Sequence, residues 1–233
     1  KIKNETCEQP MTYLLLILAV LLSFGFVYLT KPKSKENFKL LLAFSGAFLL
    51  ALTLFELFPS VYEASNARTI GLFIMLGILL QVFLESFSKG AEHGHVHLNS
   101  ETNGFPWLLF VSLSFHALLE GMPIERHNTM IYGILIHKIP IAIILSIFLL
   151  NSKIEIYKVI VFILLFSLMT PLGTILASNV EFVSEYYPQI TALVIGVLLH
   201  ISTVILFESS EGHKFNLRKS VAIILGIGIA YLL

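Results

Sequence analysis

The chain has 233 residues, 56% of them apolar and 13% charged, and its mean hydropathy is +0.86. A soluble globule of this size needs a charged surface that this composition cannot supply, so a bilayer is the solvent that fits. Formal net charge is zero, which gives no bulk field to attract nucleic acid, and Cys7 is alone, which excludes an intrachain disulfide.

In chain order, apolar runs between charges fall at 13–29, 38–58, 70–84, 105–124, 130–150, 156–176, 188–207 and 218–233. The last is apolar from 220, and Arg218 and Lys219 extend it by snorkelling to the interface. Most runs approach the ~20 residues that cross ~30 Å of hydrocarbon as helix, the third and eighth being short. The ~10-residue alternating segments of a transmembrane barrel are absent. The pattern predicts an all-α polytopic membrane protein of eight transmembrane helices, one domain over 1–233. The first run is expected to stay as an anchor rather than be cleaved, and an opening Lys1 rather than Met leaves room for residues missing or trimmed before it.

Basic residues in the connections set the orientation. One set of alternate loops holds ten of them, at 31, 33, 35, 39, 89, 153, 158, 214, 218 and 219. The other set, with the N-terminus, holds Lys1, Lys3, Arg68 and Arg126. The bias puts the first set in the cytoplasm and both termini outside. The longest connection, 88–104, is then cytoplasmic.

Ionisable residues at membrane depth are costly and usually line a cavity or pathway. His116 and Glu120 stand four apart in the fourth run, on one helix face. His127 is near the centre of the connection to the fifth run, eleven residues after His116 and ten before His137. In an antiparallel hairpin, equal distances from the turn mean equal depth, here ~15 Å, close to mid-bilayer. Two imidazoles and a carboxylate are a zinc-type ligand set, and an incomplete one leaves positions open for exchange. Pro140 cannot donate to the Ile136 carbonyl and so loosens the fifth helix beside His137. Lys138 is too deep to snorkel and needs a partner, with Glu120 the obvious one. It reads as a resident cation, a proton-coupled group or half of a structural ion pair.

Further candidates lie towards the ends. His93, His95 and His97 alternate in the 88–104 loop, a pattern that binds borderline cations weakly or is simply a solvated loop. Glu85, Glu208 and His213 face the same side and could form an exit. His200, alone in the seventh run, reads first as a packing residue and second as an exit ligand. Glu56 and Glu63 flank the outer end of the second run near Pro59 and mark an entrance.

These residues resemble the ZIP (Zrt- and Irt-like) family of metal transporters, in a bacterial-type form. The resemblance rests on His-x-x-x-Glu-Gly at His116, Glu120 and Gly121, and on His-Lys at His137 and Lys138. It is extended by Pro171-Leu172-Gly173, by Phe58-Pro59 ending the second run and by Glu208 ending the seventh. It implies eight helices, a metal site between the fourth and fifth, uptake towards the cytoplasm, and a dimer in which a mobile helix group slides against a static one. At least one of Gly71, Gly77, Gly173 and Gly196 is expected at the sliding surface, since small residues let membrane helices approach. Ala117, Lys138 and Ile141 stand where many members carry further ligands, which leaves one metal site rather than two.

The expected function is a secondary transporter of Zn²⁺ by alternating access in a bacterial cytoplasmic membrane, with lipid around it and no prosthetic group. An intramembrane zinc hydrolase would need a general base beyond the ligands, and no His-Glu-x-x-His pair is present. A metal sensor or channel without alternating access is the other alternative. Metal flux in proteoliposomes separates the three.

Overall fold

A computed structural model describes residues 5–32, 36–88, 105–208 and 217–233. Among them all regular structure is helical. Helix α1 is Glu5–Thr30. Helix α2, Glu36–Leu52, runs through a π-helical turn at Thr53–Leu57 into α3, Phe58–Ala64. Then come α4, Ala67–Ser88, and α5, Trp107–Gly121, which ends in a 3-10 turn at Met122–Glu125. Helices α6, Met130–Leu150, and α7, Ile156–Asn179, follow. The short α8, Glu181–Glu185, precedes α9, Tyr187–Glu208, and α10, Leu217–Leu232.

Among the described residues seven stretches are long and apolar enough to cross a membrane: Pro10–Thr30, Phe38–Ala64, Ala67–Phe87, Trp107–Glu125, Met130–Leu150, Ile156–Asn179 and Tyr187–Phe207. The third run is thus the middle of a 22-residue helix whose polar ends continue it, since nothing there breaks it. Helix α10 has 16 residues, ~24 Å at helical rise. Leu22, Leu29, Leu72, Phe83, Trp107 and Leu108 are each more than half exposed. Hydrocarbon accepts such a surface where water would not. Several inward hydroxyls are satisfied within their own helices: Ser45 donates to the Leu42 carbonyl at 2.9 Å, Thr53 to Leu49 at 2.8 Å and Ser146 to Ala142 at 2.6 Å.

The long helices pack as two sets. Helices α1, α5, α6 and α7 form one; α2, α4, α9 and α10 form the other; they meet chiefly where α6 lies on α2 and α5 on α4. Helix α6 is apolar nearly all round and buries 14 of its 21 residues, as a central helix must. Pro140 lies inside it without ending it.

None of Gly71, Gly77, Gly173 and Gly196 lies between the two sets. Gly77 and Gly196 meet where α4 crosses α9, inside the second set: a Cβ on Gly77 would stand 2.0 Å from the Leu193 carbonyl oxygen. Gly173 lies inside the first set, and Gly71 has only the Tyr62 hydroxyl near it, at 3.9 Å. The glycine between the sets is Gly133 of α6, whose Cβ would meet Leu52 Cδ1 at 2.9 Å. Periodicity marks small residues but not which neighbour each one meets.

Candidate metal centre

The antiparallel α5–α6 hairpin brings His116, Glu120 and His137 together. One ligand atom from each lies within 4.8 Å of the other two, and all three side chains are buried. His116 Nε2 is 4.0 Å from Glu120 Oε2. The other carboxylate oxygen, Glu120 Oε1, is buried with no hydrogen-bond partner. An unsatisfied buried acceptor costs ~1–3 kcal/mol, and a bound cation removes that cost.

Lys138 is buried beside this group and donates from Nζ to Glu120 Oε2 at 2.9 Å. Its ammonium also lies 5.1 Å from the centroid of the Phe166 ring on α7, a cation–π contact. Burial round most of α6 is why two consecutive residues, His137 and Lys138, are both buried.

Helix α7 holds the turn of α5 that carries His116 and Glu120 in register. Thr170 donates to the Ala117 carbonyl at 3.0 Å and Thr174 to the Gly121 carbonyl at 2.9 Å. These carbonyls are next in sequence to His116 and Glu120. Gly121 and Gly173 permit the approach: a Cβ on Gly173 would stand 1.9 Å from the Leu118 carbonyl oxygen. Pro-Leu-Gly at 171–173 therefore serves helix contact near the site and supplies no ligand.

Towards the end of the bundle where α4 finishes, Ser112 of α5, one turn before His116, donates to the Leu84 carbonyl of α4 at 2.7 Å. Beside it, Glu85 Oε2 lies 2.8 Å from His200 Nε2 of α9, both half-buried. His200 is thus one of a carboxylate–imidazole pair rather than the isolated packing residue its surroundings in sequence suggest. The side chain of Glu208 and all of His93, His95, His97 and His213 lie outside the described residues.

At the opposite end, Glu56 and His127 meet, Oε1 to Nδ1 at 3.5 Å. Glu63 is exposed and takes no part in this contact. The connection carrying His127 is pinned to the α8–α9 corner. The Arg126 guanidinium stands 4.0 Å from the Tyr187 ring centroid and donates to Ser184 Oγ at 3.1 Å. A cavity of about 600 Å³ opens nearby between α1 and the hairpin, lined in part by Tyr13, Glu125, Asn128 and Thr174. None of the three central ligands lines it. Sequence reading missed the role of His127, the threonine brackets and the Phe166 contact. For His127 a signal existed, a second imidazole-to-acid match across the hairpin mouth; for Phe166 there was none.

A family model described as the ZIP zinc transporter matches residues 92–233. Protein zntD of Dictyostelium discoideum is 29% identical over 163 residues, 59% of this chain and 24% of that protein. Zinc transporter ZIP1 of Danio rerio is 32% identical over 88 residues, 35% of this chain and 29% of that protein. Zinc transporter ZIP1 of Takifugu rubripes is 30% identical over 150 residues, 59% of this chain and 50% of that protein. The chain spans from about a quarter to half the length of these relatives.

Proposed function

The chain belongs to the ZIP zinc transporter family, and we propose that it moves divalent metal ions, Zn²⁺ first, towards the cytoplasm by alternating access. It is an integral membrane protein of a transporter family and not an enzyme. The observation that carries the reading is the buried convergence of His116, Glu120 and His137 within 4.8 Å, with one Glu120 oxygen unpartnered. Two neutral imidazoles and one carboxylate bind borderline cations, and they leave room for water or a passing ligand. The relatives' names, two of them zinc transporters, support zinc as the cargo.

All three ligands and Lys138 stand on the α5–α6 hairpin, so the first helix set carries the site whole. Rigid movement of that set against α2, α4, α9 and α10 would expose it to either side without taking it apart. In this reading Lys138 is a resident cation that holds Glu120 when no metal is bound. Glu56 and Glu63 mark the entrance, and Glu85 with His200 the exit, joined there by Glu208, His213 and the loop histidines. The ten-to-four bias of basic residues supports a cytoplasmic membrane, here a bacterial inner one, with both termini outside. Association as a homodimer completes the reading.

Zinc flux into proteoliposomes tests it. A transporter gives saturable uptake, a channel gives uptake that does not saturate, and a sensor or hydrolase gives none. The last two results would each overturn the reading.

A further inference from the structure

We propose that Glu56 and His127 form a second, outer zinc site that takes the ion from solution and passes it to the His116–Glu120–His137 site. The inference rests on the transport reading above and adds a ligand set to it.

The backbone of the second span is built to present Glu56. Pro59 has no N–H for the Phe55 carbonyl, and the helix gains one residue just before it: the Phe58 N–H donates to Thr53, five residues back. One extra residue rotates everything after it by ~100° relative to a regular helix. In a regular helix residues 56 and 60 would continue the buried face of Leu49, Leu52 and Thr53. With the extra residue, Leu57 and Val61 take that face, at 0% and 2% exposure, while Glu56 and Ser60 move to its half-exposed edge. That edge faces His127.

The hydrogen bonding then fixes what each group offers. Ser60 donates its one hydroxyl proton to the Leu57 carbonyl at 2.8 Å, so towards His127 Nε2, 3.5 Å away, it can only accept. Nε2 therefore carries a ring proton, and Nδ1 is the ring nitrogen that faces the Glu56 carboxylate. Nδ1 and the Glu56 oxygen stand 3.5 Å apart, and either a proton on Nδ1 or a cation between them makes the arrangement favourable. The distance favours a metal ion over a proton. A charge-assisted N–H···O bond closes to ~2.7–2.9 Å. Two ligands each ~2.1 Å from a tetrahedral zinc ion stand ~3.4 Å apart.

The position suits transfer. Glu56 and Ser60 belong to the second helix set, while His127 tips the hairpin that carries the central ligands. An ion held here bridges the two sets at the mouth, one hairpin length above its destination. Two protein ligands, with water completing the shell, bind more weakly than three, which lets the ion move on.

The test is zinc titration of the full chain in detergent by equilibrium dialysis at one fixed pH, paired with uptake kinetics. Wild type should bind two zinc ions, and His127→Ala, Glu56→Gln and His137→Ala one each. In uptake, His127→Ala should raise KM ~10-fold or more with kcat within about twofold, the mark of a lost capture step. His127→Gln keeps a donor for Ser60 and should behave as His127→Ala. One ion in wild type and in His127→Ala alike would overturn the site. So would a lower kcat with KM unchanged, which marks a structural latch. Loss of saturable flux from wild type with both ions still bound would instead overturn the transport reading and leave the outer site standing.

Discussion

Lys138 and Glu120 form a buried ion pair, Nζ to Oε2 at 2.9 Å, on the same carboxylate oxygen that lies 4.0 Å from His116 Nε2. The lysine thus shares its partner with any arriving metal ion. With neutral imidazoles, Glu120 and Lys138 sum to zero charge, and a divalent ion leaves two charges uncompensated in a low-dielectric site.

Removing the ammonium while keeping the side chain's bulk should therefore strengthen zinc binding. Lys138→Gln is expected to lower the zinc Kd and to slow turnover, because release then lacks a cation to replace the metal at Glu120. Zinc titration and uptake on the same preparation check it. An unchanged Kd would show that the pair plays no part in binding.

The pair also separates folding from binding. Truncating one partner of a buried ion pair costs ~3–5 kcal/mol, because the other charge is left alone. Glu120→Ala should lower expression and thermal stability, unlike His116→Ala or His137→Ala, which leave no buried charge. The double variant Glu120→Ala with Lys138→Met should regain stability and stay inactive. Detergent thermal-shift measurements beside uptake decide this, and equal stability of all the single variants would contradict it.

Two glycines should respond differently. Gly173 presses on backbone within the site-bearing set, where a Cβ meets the Leu118 carbonyl oxygen. Gly173→Leu should damage binding and turnover together by displacing the α5 ligands. Gly133 faces the far end of the Leu52 side chain between the two sets. Gly133→Leu should slow turnover more than binding if the sets slide there. Parallel losses in both variants would remove the case for movement at the α2–α6 contact.

Replacing His93, His95 and His97 together should leave saturable uptake in place with a changed rate at most. The three lie in sequence between the third and fourth apolar runs, well before His116, Glu120 and His137. Uptake abolished in a well-folded triple variant would make the loop essential.

The all-helical, membrane-spanning class and the meeting of His116, Glu120 and His137 across the hairpin were legible because each depends on short-range facts. Charges bound apolar runs, and equal spacing from a turn sets equal depth. The Lys138–Glu120 pair followed from depth alone, since a lysine that cannot reach the interface needs an acid nearby. Contacts between distant spans were not legible. The pairing of Glu85 with His200 bridges 115 positions, and the Thr170 and Thr174 brackets each bridge 53. The π-helical turn that swings Glu56 towards His127 was hidden for another reason. Pro59 announces a loosened ladder, but whether the helix kinks or gains a residue depends on what packs against it.

The central claim is that His116, Glu120 and His137 hold the ion during transport. Its most direct test is zinc uptake into proteoliposomes holding equal amounts of folded wild type, His116→Ala and His137→Ala. The account predicts saturable uptake in wild type and uptake no higher than that of protein-free vesicles in both variants. Saturable uptake at the wild-type rate in either variant would contradict it.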